Sequence, residues 1–215
     1  MRPPYLFADR AEAAEALALD LHAYRGRNPL IMAIPRGAVP MGKVIAQRLE
    51  GELDVILVHK LGAPFDPEYA IGAIDESGCA YLSPVIEDSA QMHAFIEQEK
   101  VRQLQMLERR RNQYTPFRRQ VDPHHRIVIV VDDGLATGAT MIAALHGIRA
   151  RGPSELICAV PVAPRTSLAS VSPFADKVVC LHTPDNFNAV SQFYRDFPQI
   201  DEQEVINILA TSDSR

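Results

Sequence analysis

The sequence predicts an α/β protein whose mainly parallel central sheet is flanked by helices. Short apolar runs typical of buried strands alternate with amphipathic segments typical of helices along the 215 residues. This alternation implies right-handed crossovers between parallel strands, and ligands of such sheets bind at the carboxyl ends of the strands. No repeat or low-complexity linker divides the chain, so we expect one domain over residues 1–215.

The first half of the chain is predicted to contain two helices, two strands and a hairpin. Asp9 with Glu12 resembles a capping box for the first helix, which is expected to stop near Gly26. The next elements are a strand at 30–34, a helix at 38–49, a strand at 54–58 continuing to Lys60, an irregular stretch at 60–69, and a hairpin of 70–74 and 79–82.

The second half is predicted to alternate between helix and strand. Its elements are a long helix at 88–114, a strand at 127–131, a helix through Ile148, a strand at 156–160, a short helix after Pro164 and a strand at 177–181. Asp201 is expected to cap a last helix that runs through Leu209, with Glu204 completing a second capping box.

The stretch that follows the strand at 127–131 carries the most specific signal. Asp132 and Asp133 stand where the strand ends, and a short Gly/Thr loop then opens a helix. Backbone N–H groups at a helix N-terminus favour an anion, while paired carboxylates suit a diol, so a sugar phosphate is the expected ligand. An ordinary turn with one Asp as an N-cap would explain one acid and one glycine, but not two acids, two glycines and two threonines. Neither a Walker loop nor a dinucleotide fingerprint is present.

This motif resembles the phosphoribosyl-pyrophosphate signature of the type I phosphoribosyltransferases. The resemblance implies that family's fold, with phosphoribosyl pyrophosphate (PRPP) as co-substrate and a small hood at about 182–200. It assigns the ribose hydroxyls to Asp132 and Asp133. The donor contacts assigned to the loop are Gly134, Ala136, Thr137, Gly138, Ala139 and Thr140. The whole chain, including the segments at 34–40 and 193–198, most resembles a bacterial phosphoribosyltransferase-like subgroup, which indicates the fold and the donor but no acceptor.

Arg36, Gly37 and Lys60 are further candidates. The Pro-Arg-Gly-Ala turn opens a helix, and by the resemblance it is the pyrophosphate loop, with Arg36–Gly37 as the candidate for a cis peptide bond. The same resemblance implies that Lys60 faces pyrophosphate from the root of a closing loop. The alternatives are an exposed arginine in an ordinary turn and a solvated lysine. Asp133, Lys60 and Arg36 are thus the predicted catalytic residues.

The predicted hood contains Phe187, Tyr194, Arg195 and Asp196. The resemblance implies that an aromatic residue there stacks on the acceptor and that Arg195 meets pyrophosphate. It also implies Mg²⁺ held largely by substrate oxygens, with Asp132, Asp133 and Asp196 contributing directly or through water. The alternative is a surface loop with one aromatic anchor.

Two departures from the family weaken the prediction of catalysis. Ala136 stands where some purine-salvage members carry an Asp, and Asp132 stands where several carry Glu, so the usual general base is missing. We therefore expect a Mg²⁺-dependent phosphoribosyltransferase for a nitrogen nucleophile. The alternatives are a non-catalytic sensor of PRPP or a nucleotide and, third, a sugar-phosphate hydrolase.

Composition excludes several other classes. No apolar run approaches the ~18 residues of a membrane span, and the N-terminus lacks a signal-peptide core. Three dispersed cysteines and these absences predict a reduced, cytoplasmic protein. A net charge of −5 makes nucleic acid an unexpected partner, and the arginines near 109–119 are expected to be the solvated end of a long helix rather than an RNA grip. Small-molecule substrates are expected, and a homodimer is left open.

Overall fold

The computed structural model describes residues 5–65, 70–82 and 89–212. Six α-helices occur in these ranges: α1 (Arg10–Asp20), α2 (Val39–Leu49), α3 (Ala90–Tyr114), α4 (Ala139–Ala150), α5 (Arg165–Val171) and α6 (Glu202–Ala210). Eight strands occur: β1 (Leu30–Ala33), β2 (Glu52–Val55), β3 (Val58–Gly62), β4 (Ala70–Asp75), β5 (Ala80–Leu82), β6 (Ile127–Val131), β7 (Glu155–Val162) and β8 (Lys177–His182).

The central sheet has five parallel strands in the order β2-β1-β6-β7-β8. Successive residues of β1 and β6 enter different apolar clusters, Ile31 and Ile129 on one face and Met32 and Val130 on the other. These strands therefore need apolar residues at every position, which explains their continuous hydrophobic runs. The α/β prediction is confirmed.

The order of the strands sets where a ligand can bind. β1 and β6 are neighbours, with Ala33 opposite Val131 at their carboxyl ends. The turn at 35–38 and the loop at 132–138 therefore leave the sheet side by side, although almost a hundred residues separate them in sequence. Helices cover both faces of the sheet, α1, α2 and α6 on one and α4 and α5 on the other.

A second sheet corrects part of the sequence prediction. The expected strand at 54–58 is in fact two strands, because β2 ends at Val55 and β3 begins at Val58. β3 pairs with β4 of the predicted hairpin to give the antiparallel order β3-β4-β5. Lys60 lies opposite Ala73 in the middle of β3, so its expected place at a strand end was wrong. Pairing with β4 holds residues 60–62 in an extended strand, although the nearby Gly62 and Pro64 suggested an irregular segment. Residues 66–69 of the predicted irregular stretch lie outside the described residues.

Helix boundaries follow local capping chemistry. The Asp9 carboxylate accepts the Glu12 N–H at 2.9 Å and the Asp201 carboxylate accepts that of Glu204 at 2.8 Å, as their spacing predicts. α1 stops at Asp20, earlier than expected, and a short 3₁₀ turn carries the chain to Gly26, whose φ is +73°. α3 is capped by Ser89 instead of starting at residue 88, which lies outside the described residues.

The arginines near the end of α3 are not all solvated, contrary to the sequence prediction. Arg111 is largely buried and contacts Asp54 and Glu76, and its guanidinium donates to the Val55 carbonyl at 2.7 Å. Arg118 is also buried. Burial raises the pKa of Asp54, although the Arg111 charge opposes that shift. The sequence could not reveal these partners because they lie on β2 and at the tip of the β4–β5 hairpin.

Candidate active site

The loop after β6 is fixed on both sides by packing. The Leu135 N–H donates to the Val162 carbonyl at 3.0 Å, and the Ser167 hydroxyl donates to the Ala136 carbonyl at 2.5 Å. At Gly134, a methyl group would lie 2.6 Å from Val190 Cγ1, so the chain passes the hood too closely for a side chain. The loop is therefore held in one shape by β7, α5 and the hood.

Gly138 begins α4 in a conformation that other residues rarely adopt. Its φ is +82°, and a methyl group there would lie 2.9 Å from Val171 Cγ2. This left-handed residue turns the chain directly into α4, so the first amides of that helix have no acceptors within it and point past the loop. Amides in this position can bind an anion, which is the role that the sequence predicts for them.

A pocket of about 180 Å³ lies along this loop. Its walls are Asp132, Gly134, Leu135, Ala136, Thr137, Gly138, Ala139, Thr140, Met141 and Val190. The structure thus brings together Asp132 and every loop residue that the sequence predicted. Val190 is an addition from the hood that could not have been found from sequence, because the hood segment has no pattern to indicate its position.

Asp132 lies at one end of this pocket. Its Oδ1 accepts the Asp133 N–H at 2.9 Å, which fixes the carboxyl group close to the turn. Burial, together with the adjacent charge of Asp133, raises the pKa of Asp132 well above its ordinary value. A partly buried carboxyl group of this kind gains from hydroxyl groups that hydrogen-bond to it.

Asp133 has a partner that the sequence did not indicate. Arg10, in the first turn of α1, donates from Nε to Asp133 Oδ2 at 2.9 Å, and only 9% and 15% of the two side chains are exposed. The same guanidinium donates to the Pro198 carbonyl at 2.7 Å, and its carbon lies 3.6 Å from the centre of the Phe197 ring. Burial raises the pKa of Asp133, and the Arg10 charge opposes that shift. Asp133 therefore joins α1, the loop and the hood.

The turn after β1 contacts the same carboxylate. At Gly37, a methyl group would lie only 2.1 Å from Asp133 Oδ2. The cis peptide bond lies between Pro35 and Arg36, one bond before the predicted Arg36–Gly37 position, which was wrong. The Ile34 N–H still bonds to the Val131 carbonyl at 3.0 Å, so the chain reverses immediately after its last sheet contact. Arg36 Nη1 lies 3.9 Å from Glu202 at the start of α6, a carboxylate that also contacts Arg110 and Tyr114.

The hood residues divide into buried and exposed groups. Tyr194 is buried, and its hydroxyl donates to the Asp133 carbonyl at 2.7 Å, so its ring lies inside the structure. Phe187 packs half-buried against Phe193, with 5.0 Å between ring centres. Arg195 and Asp196 are exposed and pair with each other at 2.9 Å. Of the predicted hood residues, Tyr194 hydrogen-bonds directly to a predicted donor residue, Asp133.

Lys60 lies away from this pocket. It lines a separate cavity between β3 and α3 that shares no wall residue with the loop pocket. The structure therefore does not bring Lys60 together with Asp132. Within the part of the chain that the structure describes, no three His, Cys, Asp or Glu side chains form a group that could hold a metal ion.

Comparison with known proteins identifies the family. The family model described as the phosphoribosyl transferase domain matches residues 7–198. The chain belongs to the phosphoribosyltransferase family. In the ranges 5–65, 70–82 and 89–212, no helix has both the length and the apolar character that crossing a membrane requires.

Similar proteins cover most of this chain. Two Mycobacterium tuberculosis proteins, from strains CDC 1551 and H37Rv, are provisionally named phosphoribosyl transferases, and each is 40% identical to it over 205 residues. These alignments cover 95% of this chain and 46% of each relative, so the chain spans about half the length of the curated relatives it matches. The crystal structure of TT1426 from Thermus thermophilus has 38% identity and a TM-score of 0.85, covering 96% of this chain and 98% of that one.

Proposed function

We propose that this chain binds PRPP and transfers its phosphoribosyl group to a nitrogen nucleophile, releasing pyrophosphate. The observation that carries the proposal is the pocket beside α4, which is lined by Asp132, whose pKa is raised by burial, and by the N-terminal residues of that helix. This combination matches a ribose with a 5′-phosphate. Family membership supports the same class of reaction.

The loop residues would supply binding energy remote from the bond that breaks. The amides near Thr137 to Thr140 would anchor the 5′-phosphate, and Asp132 would accept the ribose hydroxyls and orient the ring. Because positive charge grows on the ribose as the C1′–O bond breaks, a fixed carboxylate nearby stabilises that state. Arg36 would leave Glu202 and bind the pyrophosphate, because pyrophosphate carries more negative charge than one carboxylate.

The residues of this site would hold Mg²⁺ mainly with the help of oxygen atoms of the substrate. Asp132 supplies carboxylate oxygens suited to Mg²⁺, but the facing Asp133 oxygen already accepts from Arg10. We therefore propose that the ion binds mainly substrate oxygens and water near Asp132, with Asp196 at most a distant contributor. When bound, Mg²⁺ neutralises charge that develops on the leaving pyrophosphate.

Asp133 takes a different role from the one expected from sequence. The resemblance assigns it to the ribose hydroxyls, whereas its Oδ2 is paired with Arg10 and packed against Gly37. We propose that Asp133 keeps the loop, the turn after β1 and the hood in fixed positions relative to one another. The sequence makes Lys60 a candidate for contact with the leaving pyrophosphate. Its position in a separate cavity does not favour that role.

A second candidate function is a non-catalytic sensor of PRPP or a nucleotide. Two observations favour it: Arg36 already contacts Glu202, and Ala136 supplies no general base. Both functions predict binding in the loop pocket, and they differ only in turnover. We also propose small-molecule substrates and a cytoplasmic location, the latter supported by three free thiols.

The decisive experiment combines PRPP, Mg²⁺ and a panel of nucleobases, with release of pyrophosphate and of nucleoside 5′-monophosphate as readouts. A transferase releases both together, and only with a suitable base. PRPP binding without turnover over the panel supports the sensor, and ribose 5-phosphate formation without a base supports hydrolysis. Asp132→Asn should abolish binding, whereas Asp20→Asn at the exposed end of α1 should not. Equal PRPP affinity of the wild type and Asp132→Asn would exclude the proposed ribose contact.

A further inference from the structure

A larger cavity, of about 460 Å³, lies between β3 and the first half of α3. The side chains that define it are His59, Lys60, Phe95, Glu99, Arg102 and Gln103. None of them lines the pocket beside α4. The volume is in the range of about 300–1,000 Å³ that is usual for small-molecule sites. The proposed function does not require this cavity.

One wall of the cavity contains a buried acceptor without a donor. Only 7% of Gln103 is exposed, and Oε1 of its side chain has no hydrogen-bond partner within the described part of the chain. Leaving a buried acceptor unpaired is unfavourable, so such groups usually receive a hydrogen bond. A ligand that donates an N–H or O–H group would supply it.

Glu99 fixes the direction of that acceptor. The Gln103 Nε2 donates to Glu99 Oε1 at 2.6 Å, and Arg102 Nη2 lies 2.6 Å from Glu99 Oε2. Burial opposes ionisation of Glu99, but the hydrogen bonds from Gln103 and Arg102 outweigh it and lower the pKa of the carboxyl group. Reversing the Gln103 amide would place its oxygen against a carboxylate. The amide nitrogen therefore faces Glu99, and the oxygen is left for another donor.

The other walls supply an aromatic ring and positive charge. Phe95 is half-buried and presents an apolar surface one helical turn before Glu99. Lys60 on β3 and the exposed Arg102 on α3 place two cationic side chains on the cavity wall, with His59 beside them. A planar ring, a hydrogen-bond donor and an anionic group on one ligand would match these three features.

We propose that this cavity is a second binding site, selective for a nucleotide whose base carries an amino group. The amino group donates to Gln103 Oε1, the base packs on Phe95, and the phosphate meets Lys60 and Arg102. The site is separate from the loop pocket, so the proposal stands or falls independently of the transferase function.

The test is calorimetric titration of the whole chain with adenosine 5′-monophosphate (AMP). Saturating ribose 5-phosphate is included to occupy the loop pocket. AMP should still bind with one equivalent. Purine riboside 5′-monophosphate, which lacks only the amino group, should bind about tenfold more weakly or worse, because it leaves Gln103 Oε1 unpaired. Equal affinities for the two nucleotides, or no AMP binding under these conditions, would overturn the proposal.

Variants assign the binding to this cavity. Gln103→Met should remove the preference for AMP over the purine nucleotide, and Lys60→Met should weaken both by a similar factor. Lys100→Met is the matched control, because Lys100 lies on the same helix and pairs with Glu97 outside the cavity. Circular dichroism establishes that each variant is folded. If Gln103→Met does not fold, the Lys60→Met variant and the nucleotide pair on the wild type still decide the question. An AMP preference that persists in Gln103→Met, or binding unaffected by Lys60→Met, would place the ligand elsewhere.

Discussion

At the scale of single residues, the site depends on two adjacent carboxylates in different surroundings. Asp132 opens onto the loop pocket, whereas Asp133 faces Arg10 and the turn at Gly37. Neighbouring residues of the same type thus acquire different roles because successive side chains at a strand end point in different directions. The Asp132 carboxyl group therefore lines the pocket, whereas the Asp133 carboxylate contacts other parts of the protein.

We predict that Asp132→Asn stabilises the fold while it removes ligand binding. The pKa of Asp132 is raised in the folded state. The group therefore contributes fully to the free energy of unfolding below the ordinary Asp pKa, and this contribution is lost as pH rises through the folded-state pKa. Near neutral pH the neutral amide should raise the free energy of unfolding by about 1 kcal/mol or more. Urea unfolding from pH 4 to pH 8 tests this: the gain over the wild type should grow with pH. A gain that is constant with pH would contradict it.

Arg10 provides the second prediction at this scale. Arg10→Met leaves the Asp133 carboxylate buried without its cation, which should cost about 3 kcal/mol of unfolding free energy. The control is Arg48→Met, because Arg48 and Glu15 form an exposed pair whose loss should change stability little. Urea denaturation midpoints compare the two variants. Similar losses in both would show that the Arg10–Asp133 pair has no special role.

At the scale of elements, the turn at 35–38 and the loop at 132–138 meet because β1 and β6 are adjacent strands. Gly37 and Gly134 let the chain pass close to Asp133 and Val190 respectively, and neither requires a left-handed φ. Only Gly138 combines a positive φ with a close neighbour among these three. The glycines near the site therefore serve two purposes, close approach at the turns and helix initiation at α4.

Gly37→Ala tests the close approach. Its methyl group would lie 2.1 Å from Asp133 Oδ2, so the carboxylate or the turn must move, and we expect a loss of about 1–3 kcal/mol together with weaker PRPP binding. The same change in an Asp133→Ala background should cost clearly less, because the clashing group is gone. Chemical denaturation of the four proteins in this double-mutant cycle measures the coupling. Additive losses would mean that Gly37 acts through something other than Asp133.

At the scale of the whole molecule, the N-terminal segment holds the hood in place. Phe7 forms a parallel bridge with Tyr194, and its carbonyl accepts the Arg195 N–H at 2.9 Å. The Asp196 N–H donates to the Ala8 carbonyl, also at 2.9 Å. Because the hood in turn supplies Val190 to the pocket, residues near both ends of the described chain determine the shape of the site.

Removal of residues 1–8 should therefore loosen the hood and leave the central sheet intact. Asp9 is kept so that α1 retains its cap. We expect faster cleavage by a non-specific protease within residues 183–192 and weaker PRPP binding, with little change in far-ultraviolet circular dichroism. The control is removal of residues 213–215, which should not change the cleavage rate. Unchanged protection of the hood after the N-terminal deletion would contradict this dependence.

The sequence by itself determined the parallel strands, the helix caps and the position of the loop that lines the pocket beside α4, because each depends on neighbouring residues. A buried strand shows as a run of apolar residues, a cap as Asp followed by Glu three residues later, and an anion loop as acids, glycines and threonines within nine residues. Asp132 and the loop from Ala136 to Thr140 could therefore be placed in advance.

Only the tertiary structure decided which of these residues face a ligand. Arg10 meets Asp133 across 123 positions, Arg36 meets Glu202, and Lys60 joins a second sheet through a hairpin. Such pairings depend on how the elements pack, and no local pattern in the sequence specifies them. The loop that lines the pocket could be located because its residues are contiguous in the sequence. The roles of Asp133, Arg36 and Lys60 could not, because burial and partners from distant segments determine what a charged side chain can do.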